Sequence, residues 1–469
     1  MKAIEYINNN EDKMVEDIKE LVNIPSVLDE ETACSGKPFG EAIFEALDCL
    51  LDKAAAMGMS TKNYDGFAGE VTVGKGEKII GILGHLDVVH AGDGWKSEPF
   101  EMKMVDGKMY GRGTMDDKGP MVSCLYAMKY LSDEGMIPEG VALRMIAGTD
   151  EEENWGCIEH YNRTAERMPD YSIVPDGNFP IINCEKGLLD VDFSYGLKEN
   201  TPAVVKVERL YGGTARNVVP SKAYCNLECE TEDLANELVA KFEAIDRVYA
   251  KKDGKKVELM VQGKGTHAMS PEKGVNAVSV LMAALEQGGK NTGIEPVYEI
   301  YNKYIGMTYN GEKFGCGFED EVSGKLTFNV GTIELKDGRI NFGTSVRYPA
   351  TLEKEQVVGA MALTCAEAGM EMTIKSEMAS LYVDRNSDFI NVLMDAYSLV
   401  SGDYESEPIS LGGATYARTL PNAVAFGPLF PYEEELAHEP NEFLSIDSLK
   451  KMTLIYIEAL KGLIKMIER

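Results

Sequence analysis

Histidine is scarce in this chain, with only five among 469 residues. The sequence has no apolar run as long as a membrane span, and its nine cysteines are scattered, odd in number and without a CxxC pair. These absences argue against a transmembrane helix and against a disulfide framework. The first residues are charged and amphipathic and lack the apolar core of a signal peptide, so we expect a protein of the reducing cytoplasm.

Positive charge is also in short supply. The 47 Lys and Arg residues against 77 Asp and Glu residues give a formal net charge of −30 and a pI near 4.6. We therefore expect neither nucleic acid nor an anionic membrane surface as a partner, and we interpret the charge as serving solubility. A chain of this length exceeds one hydrophobic core, which predicts two or more domains.

The first part of the chain alternates strand-like and helix-like segments. The apolar runs Ile79–Leu83, Val141–Ala147 and Tyr171–Val174 are strand-like, and Lys118–Leu131 has apolar residues at helical spacing. This alternation predicts a layered α/β domain with a largely parallel sheet.

Candidate site residues follow all three of these predicted strands. His85 and Asp87 come after the first strand, Glu151 and Glu152 after the second, and Asp176 after the third. Ligands of open α/β sheets bind at the carboxyl ends of the strands. We therefore expect these side chains to meet at one edge of the sheet.

Between about residues 185 and 380 the strand and helix pattern changes and Gly and Asn turns become frequent. The last part of the chain returns to helix, strand and helix and carries His438. We predict a discontinuous catalytic domain, residues 1–184 and 381–469, interrupted by an inserted domain at 185–380.

The site residues together are those of a two-metal hydrolase. Such a site needs a bridging carboxylate, further His and carboxylate ligands, and an unligated carboxylate as base. Three anionic ligands against two divalent ions leave one positive charge. Glu151 is the natural base, although the run Glu151–Glu153 also allows base and ligand to be placed one residue later. The five candidate ligands are His85, Asp116, Glu152, Asp176 and His438.

The chain resembles the M20 family of metallopeptidases, most closely its PepV-like bacterial dipeptidases, the carnosinase-like (Xaa-His) branch. The resemblance covers nearly the full length and implies a zinc-peptidase-like α/β/α catalytic domain with an inserted α+β lid of two similar subunits. It rests on these segments, in the family's order: GHLDVV, GRGTMDDKGP, GTDEEENWG, PDGNFPIINCEKG, GGTARNVVP, GKGTHAMSPEKGVNA, GGATYAR and AHEPNE.

The resemblance implies a role for each matched residue. The five candidate ligands would hold two divalent ions, most plausibly Zn²⁺, with Mn²⁺ or Co²⁺ as alternatives. Asp116 would bridge the ions, with a cis peptide bond to Asp117. Glu151 would be the general base acting on a metal-bridging hydroxide, Asp87 would orient His85, and His267 would stabilise the oxyanion.

The resemblance also implies the substrate. Asn217, Arg347 and the Gly412–Thr415 loop, including Gly413 and Thr415, would hold the C-terminal carboxylate of an unblocked dipeptide, and Asp87 or Glu151 its amine. The enlarged insertion implies a monomer, because one chain supplies the lid histidine. Alternatives are an N-acyl-amino-acid deacylase or a succinyl-diaminopimelate-type desuccinylase of the same fold, and a catalytically silent binding protein.

Other polar residues near these segments are given structural interpretations. Asp117 is interpreted as an exposed turn residue or a helix N-cap, and Glu153 as solvated. His90 and His160 are expected to be structural.

Overall fold

The computed structural model describes residues 2–197, 203–289 and 291–469. Its helices are α1 Ala3–Val22, α2 Glu41–Ala56, α3 Lys118–Asp133, α4 Gly156–Thr164, α5 Glu232–Glu243, α6 Ala277–Gly288, α7 Glu295–Tyr304, α8 Lys354–Ala368, α9 Asp388–Ser401 and α10 Ile446–Glu468. Within the described residues, no helix combines the length and apolarity that crossing a membrane requires.

The strands are β1 Ser60–Tyr64, β2 Ala68–Gly74, β3 Lys78–His85, β4 Lys103–Val105, β5 Lys108–Tyr110, β6 Val141–Gly148, β7 Tyr171–Val174, β8 Ile182–Glu185, β9 Gly187–Gly196, β10 Val205–Gly212, β11 Lys222–Cys229, β12 Val248–Asp253, β13 Lys256–Gln262, β14 Glu319–Asp320, β15 Gly324–Lys325, β16 Thr327–Lys336, β17 Arg339–Tyr348, β18 Glu371–Met378, β19 Leu381–Tyr382, β20 Ile409–Leu411, β21 Ala423–Ala425 and β22 Phe443–Ser445.

The chain divides into two compact units. Unit 1 comprises residues 1–183, 383–409 and 414–469, and unit 2 comprises 184–382 and 410–413. The sequence predicts boundaries at 184/185 and 380/381, and the division adds the short segment 410–413 to unit 2.

The main sheet of unit 1 has a parallel centre and antiparallel edges. Its strands run in the order β1-β2-β6-β3-β7-β21-β8. The neighbours β6, β3, β7 and β21 are parallel, whereas β1, β2 and β8 pair in antiparallel fashion. The buried, nearly unbroken apolar sequence of β3 is typical of a central parallel strand covered on both faces.

The amphipathic helices of unit 1 bury an apolar face against neighbouring elements. In α10 the buried residues recur at helical spacing, from Leu449 through Met452, Tyr456 and Leu460 to Leu463. This period of three to four residues aligns them on one face. The helix packs against α3 and α9, and α3 is itself buried along almost its whole length.

Unit 2 is built on one eight-stranded sheet, in the order β12-β13-β11-β10-β16-β17-β9-β18, with every adjacent pair antiparallel. In β11 alternate residues are buried, among them Cys225 and Cys229, which places both on one face of the sheet. The helices α5 and α6 pack against β11 and β13 and contribute to the separate apolar core of this unit.

Candidate active site

The carboxyl ends of the parallel strands in unit 1 deliver the predicted residues to one place. His85 is the last residue of β3, Glu151 and Glu152 follow β6, and Asp176 follows β7. Asp116 lies in the turn that leads into α3. The structure therefore brings together side chains that are up to 91 positions apart in this part of the sequence, as the strand-end pattern predicts.

The carboxylate of Asp116 lies between two imidazoles. Its Oδ1 is 2.9 Å from Nε2 of His85, and its Oδ2 is 3.2 Å from Nε2 of His438. On the first side Asp176 Oδ2 is 3.8 Å from His85 Nε2, and on the second Glu152 Oε2 is 2.9 Å from His438 Nε2. The five residues form two donor groups that share Asp116, which is the arrangement a pair of bridged ions requires.

The donor atoms are close enough to act on common ions. One oxygen or nitrogen from each of His85, Asp116 and Glu152 lies within 4.8 Å of the others, and the same holds for His85, Glu151 and Asp176. Imidazole nitrogen and carboxylate oxygen are the ligands that Zn²⁺ takes in catalytic sites. The residues present therefore fit a two-ion site.

The electrostatics of the cluster also suit bound cations, because its carboxylates lie close together and are shielded from water. Burial raises the pKa of Glu151 well above its usual value, and Asp176 beside it raises it further. Burial and the charge of Asp116 raise the pKa of Asp176 to about 7. Hydrogen bonds from His438 to Asp116 and Glu152 raise the pKa of that imidazole to about 10. A cluster with these properties favours bound cations.

His85 is held from behind by Asp87. The ring Nδ1 lies 3.0 Å from the backbone oxygen of Asp87 and 3.5 Å from its carboxylate Oδ1. The other carboxylate oxygen accepts the backbone N–H of Glu152 at 3.0 Å. Asp87 thus fixes both His85 and the loop after β6, and its nearest contact to the imidazole is the main-chain oxygen rather than the carboxylate.

Glycine and close packing shape the turn before α3. Gly113 has φ of 88°, a conformation that favours glycine, and the peptide bond between Asp116 and Asp117 is cis. A Cβ at Gly84 would lie 2.2 Å from Asp117 Oδ2. The absence of a side chain at Gly84 therefore lets the carboxylate of Asp117 pack against β3.

Asp117 differs from its structural interpretation in part. It stands at the N-cap position of α3, as expected, but it is fully buried and its side chain makes no capping hydrogen bond. Its Oδ2 instead accepts the backbone N–H of His85 at 3.2 Å. Glu153 and His90 are exposed, and His160 stacks on Phe67 with ring centroids 4.2 Å apart.

Sequence reasoning missed the two buried residues that hold this turn in place, Arg112 and Glu442. Both stand in segments that were used for other residues, GRGTMDDKGP for Asp116 and AHEPNE for His438. Glu442 is fully buried and its carboxylate contacts Arg112 Nη1 at 2.8 Å. The sequence offered one indication of this pair: Arg112 and Glu442 carry opposite charges, and each stands in a segment that also contains a candidate metal ligand.

Unit 2 contains His267 and three of the predicted substrate residues, Asn217, Arg347 and Gly413. Thr415 belongs to unit 1. Asn217 and Arg347 line a common cavity of about 510 Å³. Arg347 is buried, and its Nη1 donates to the backbone oxygen of Gly412 at 2.5 Å. The guanidinium therefore lies beside the Gly412–Gly413 segment.

The two remaining polar groups are oriented by local hydrogen bonds. His267 is exposed, and its Nδ1 accepts the backbone N–H of Met269 at 3.2 Å. This contact favours the tautomer that carries its proton on Nε2. Partial desolvation of the ring and the charge of Arg347 lower the pKa of His267. Thr415 is buried, and its hydroxyl accepts the N–H of Ala417 at 3.3 Å.

An α/β sheet with a His and carboxylate cluster at its carboxyl edge is the arrangement of a metal-dependent hydrolase. The particular family follows from comparison with known proteins: residues 81–462 match Peptidase family M20/M25/M40, and the chain belongs to that family. It is therefore a metallopeptidase. Its fold is the α/β catalytic domain plus lid of the M20 peptidases, as the sequence predicted.

Individual relatives agree with this assignment. A Bacillus subtilis (strain 168) protein with the name "Putative dipeptidase YtjP" is 37% identical over 471 residues, covering 98% of this chain and 99% of its own. Two solved structures share the fold. Aminoacylhistidine dipeptidase from Vibrio alginolyticus has a TM-score of 0.58 at 14% identity, covering 97% and 96% of the two chains. Human carnosine dipeptidase 1 has a TM-score of 0.56 at 15% identity, covering 99% and 98%.

Proposed function

We propose that this metallopeptidase is a dipeptidase that hydrolyses the peptide bond of unblocked dipeptides with two bound divalent ions. The proposal rests on the placement of the Asp116 carboxylate between the imidazoles of His85 and His438. One oxygen of Glu151 also lies within 4.8 Å of donor atoms of His85 and Asp176. The dipeptidase name of a relative that aligns along almost the whole chain supports the substrate class.

The distances support an assignment of the ligands to two ions. His85, Asp116 and Asp176 would hold one ion, and His438, Asp116 and Glu152 the other. When bound, two divalent ions lower the pKa of water and polarise the scissile carbonyl. We propose Zn²⁺, since two imidazoles and three carboxylates suit it, with Mn²⁺ and Co²⁺ as alternatives.

Glu151 is the proton carrier of the proposed reaction. Burial and Asp176 raise its pKa, which makes it a stronger proton acceptor than an exposed glutamate. It takes a proton from the attacking water and delivers it to the nitrogen of the leaving amine. Glu153 is exposed and is not proposed to take part.

The oxyanion and the substrate carboxylate are assigned to residues outside the metal cluster. His267 would donate its Nε2 proton to the oxyanion, in keeping with its favoured tautomer. Arg347 and Asn217, with the Gly413 and Thr415 loop, would bind the C-terminal carboxylate; a guanidinium suits this as a permanent planar cation. The side chain of Asp87 is only 4% exposed, so the amine contact is assigned to Glu151.

We further propose that the protein works as a monomer in the cytoplasm, with residues 1–184 and 381–469 as the catalytic domain and 185–380 as the lid. The reducing environment suits its cysteines, which are all free. Sedimentation at several concentrations tests the monomer. An obligate dimer would contradict it.

The direct test of the proposed function compares two substrate classes. The metal-free protein, reconstituted with Zn²⁺, Mn²⁺ or Co²⁺, is given a panel of unblocked dipeptides and the matching N-acyl and N-succinyl amino acids. We expect turnover of the dipeptides only. Preferential hydrolysis of the N-blocked substrates would instead favour a deacylase or desuccinylase of the same fold.

A further inference from the structure

The turn that presents Asp116 is built around the buried carboxylate of Glu442. Its Oε1 accepts the backbone N–H groups of Gly113 at 3.0 Å, Met115 at 2.8 Å and Asp116 at 3.3 Å. Its Oε2 contacts Gly113 N at 3.2 Å and Arg112 Nη1 at 2.8 Å. A single side chain, remote in sequence, thus satisfies the donors of the turn that leads into α3.

Arg112 connects the same carboxylate to the segment that carries the second histidine. While Nη1 contacts Glu442, Nη2 donates to the backbone oxygen of His438 at 3.1 Å and to that of Ala91 at 3.4 Å. Only 1% of the Arg112 side chain is exposed. The planar guanidinium therefore joins the turn of Asp116 to the backbone of His438 in a fixed geometry.

We propose that Glu442 and Arg112 are positioning residues that set the directions of the Asp116 carboxylate and the His438 imidazole, and with them the affinity for both ions. The inference rests on the proposed ligand roles of Asp116 and His438. Because Arg112 offsets the charge of Glu442, the pair acts through geometry rather than through added charge beside the ligands. Loss of groups that orient metal ligands typically weakens metal binding about 10- to 100-fold.

Two substitutions test separately the contact of Glu442 with the Asp116 turn and the contact of Arg112 with the backbone oxygen of His438. Glu442→Gln replaces one acceptor oxygen by an amide N–H₂ that faces the backbone donors, so the Asp116 turn is released and both binding steps weaken. Arg112→Lys keeps a cation beside Glu442 but cannot also reach the oxygen of His438. It should weaken only the step that uses His438.

The experiment is a Zn²⁺ titration of the metal-free protein in competition with a chelator, which measures the affinity of each binding step. Thermal unfolding of the same metal-free samples shows whether each variant is folded. Asp17→Asn is the matched control, since Asp17 is a buried carboxylate held by Lys53 at 2.9 Å and Tyr126 at 2.6 Å, outside the site. We expect Glu442→Gln to weaken both steps about 10- to 100-fold, Arg112→Lys to weaken one, and the control to weaken neither.

Three other outcomes bear on the positioning role of Glu442 and Arg112. If the wild type binds two ions and both variants bind them within about twofold as tightly, or if Asp17→Asn weakens binding equally, the positioning role is wrong. If the wild type binds fewer than two ions, the proposed ligand set is wrong, and this inference falls with it. If Glu442→Gln does not fold, the one-step pattern of Arg112→Lys decides alone.

Discussion

Replacing Glu151 by Gln should abolish most turnover without emptying the metal site. Glu151 lies with His85 and Asp176 in one donor group, and burial and Asp176 raise its pKa. The amide of Gln has the same shape but accepts no proton. General acid-base catalysis contributes about 100- to 10,000-fold, so the loss in kcat should correspond to about 3 to 5 kcal/mol.

The assay measures kcat and KM for one unblocked dipeptide together with the metal content of each sample. Glu153→Gln is the matched control, because Glu153 is two positions away and exposed. We expect the control to keep wild-type kinetics, and Glu151→Gln to retain its ions. A Glu151→Gln enzyme with an unchanged rate would refute the assignment of the base. Equal losses in both variants would refute it as well.

Four further outcomes are expected. His267→Ala, which removes the donor, should lower kcat about 100- to 1,000-fold with unchanged metal content; an effect on KM alone would contradict the oxyanion role. Arg347→Lys should raise KM for dipeptides, whereas Arg339→Lys, in an exposed ion pair with Glu371 at 2.7 Å, should not. Chelation should abolish activity and lower the unfolding temperature, and added Zn²⁺, Mn²⁺ or Co²⁺ should restore both. The pKa of His438 is raised to about 10, so its imidazole is protonated at neutral pH. Ion binding should therefore release a proton, and the affinity for the ions should rise with pH. Calorimetry in buffers of different ionisation enthalpy measures this proton release.

Much of the site could be predicted because its positions follow from the sheet. The apolar runs of β3, β6 and β7 mark central strands, and the residues after them must lie at one edge. This rule predicts that His85, Glu152 and Asp176 lie together, and the needs of a two-metal site then select them as candidate ligands. His438 follows none of these strands; it is a candidate because a two-metal site needs a second imidazole, and the resemblance of AHEPNE to a known family supports its role.

The missed features depend on contacts that periodicity does not encode. Glu442 was passed over because its partners, from Gly113 to Asp116, lie more than 300 positions away in the sequence. Asp117 looked like an exposed turn residue because nothing local shows that Gly84 leaves room for its carboxylate. The antiparallel edges of the sheet were equally invisible, since a half-buried strand has the same pattern in either direction.

If Asp116 is a ligand of two ions that dipeptide hydrolysis requires, activity must depend on both ions and on that carboxylate. The decisive measurement is a Zn²⁺ titration of the metal-free protein while hydrolysis of an unblocked dipeptide is followed. We predict no turnover without metal, full turnover at two ions per chain, and none at any ratio for Asp116→Asn. Dipeptide hydrolysis by the metal-free protein, or wild-type turnover by Asp116→Asn, would contradict this requirement.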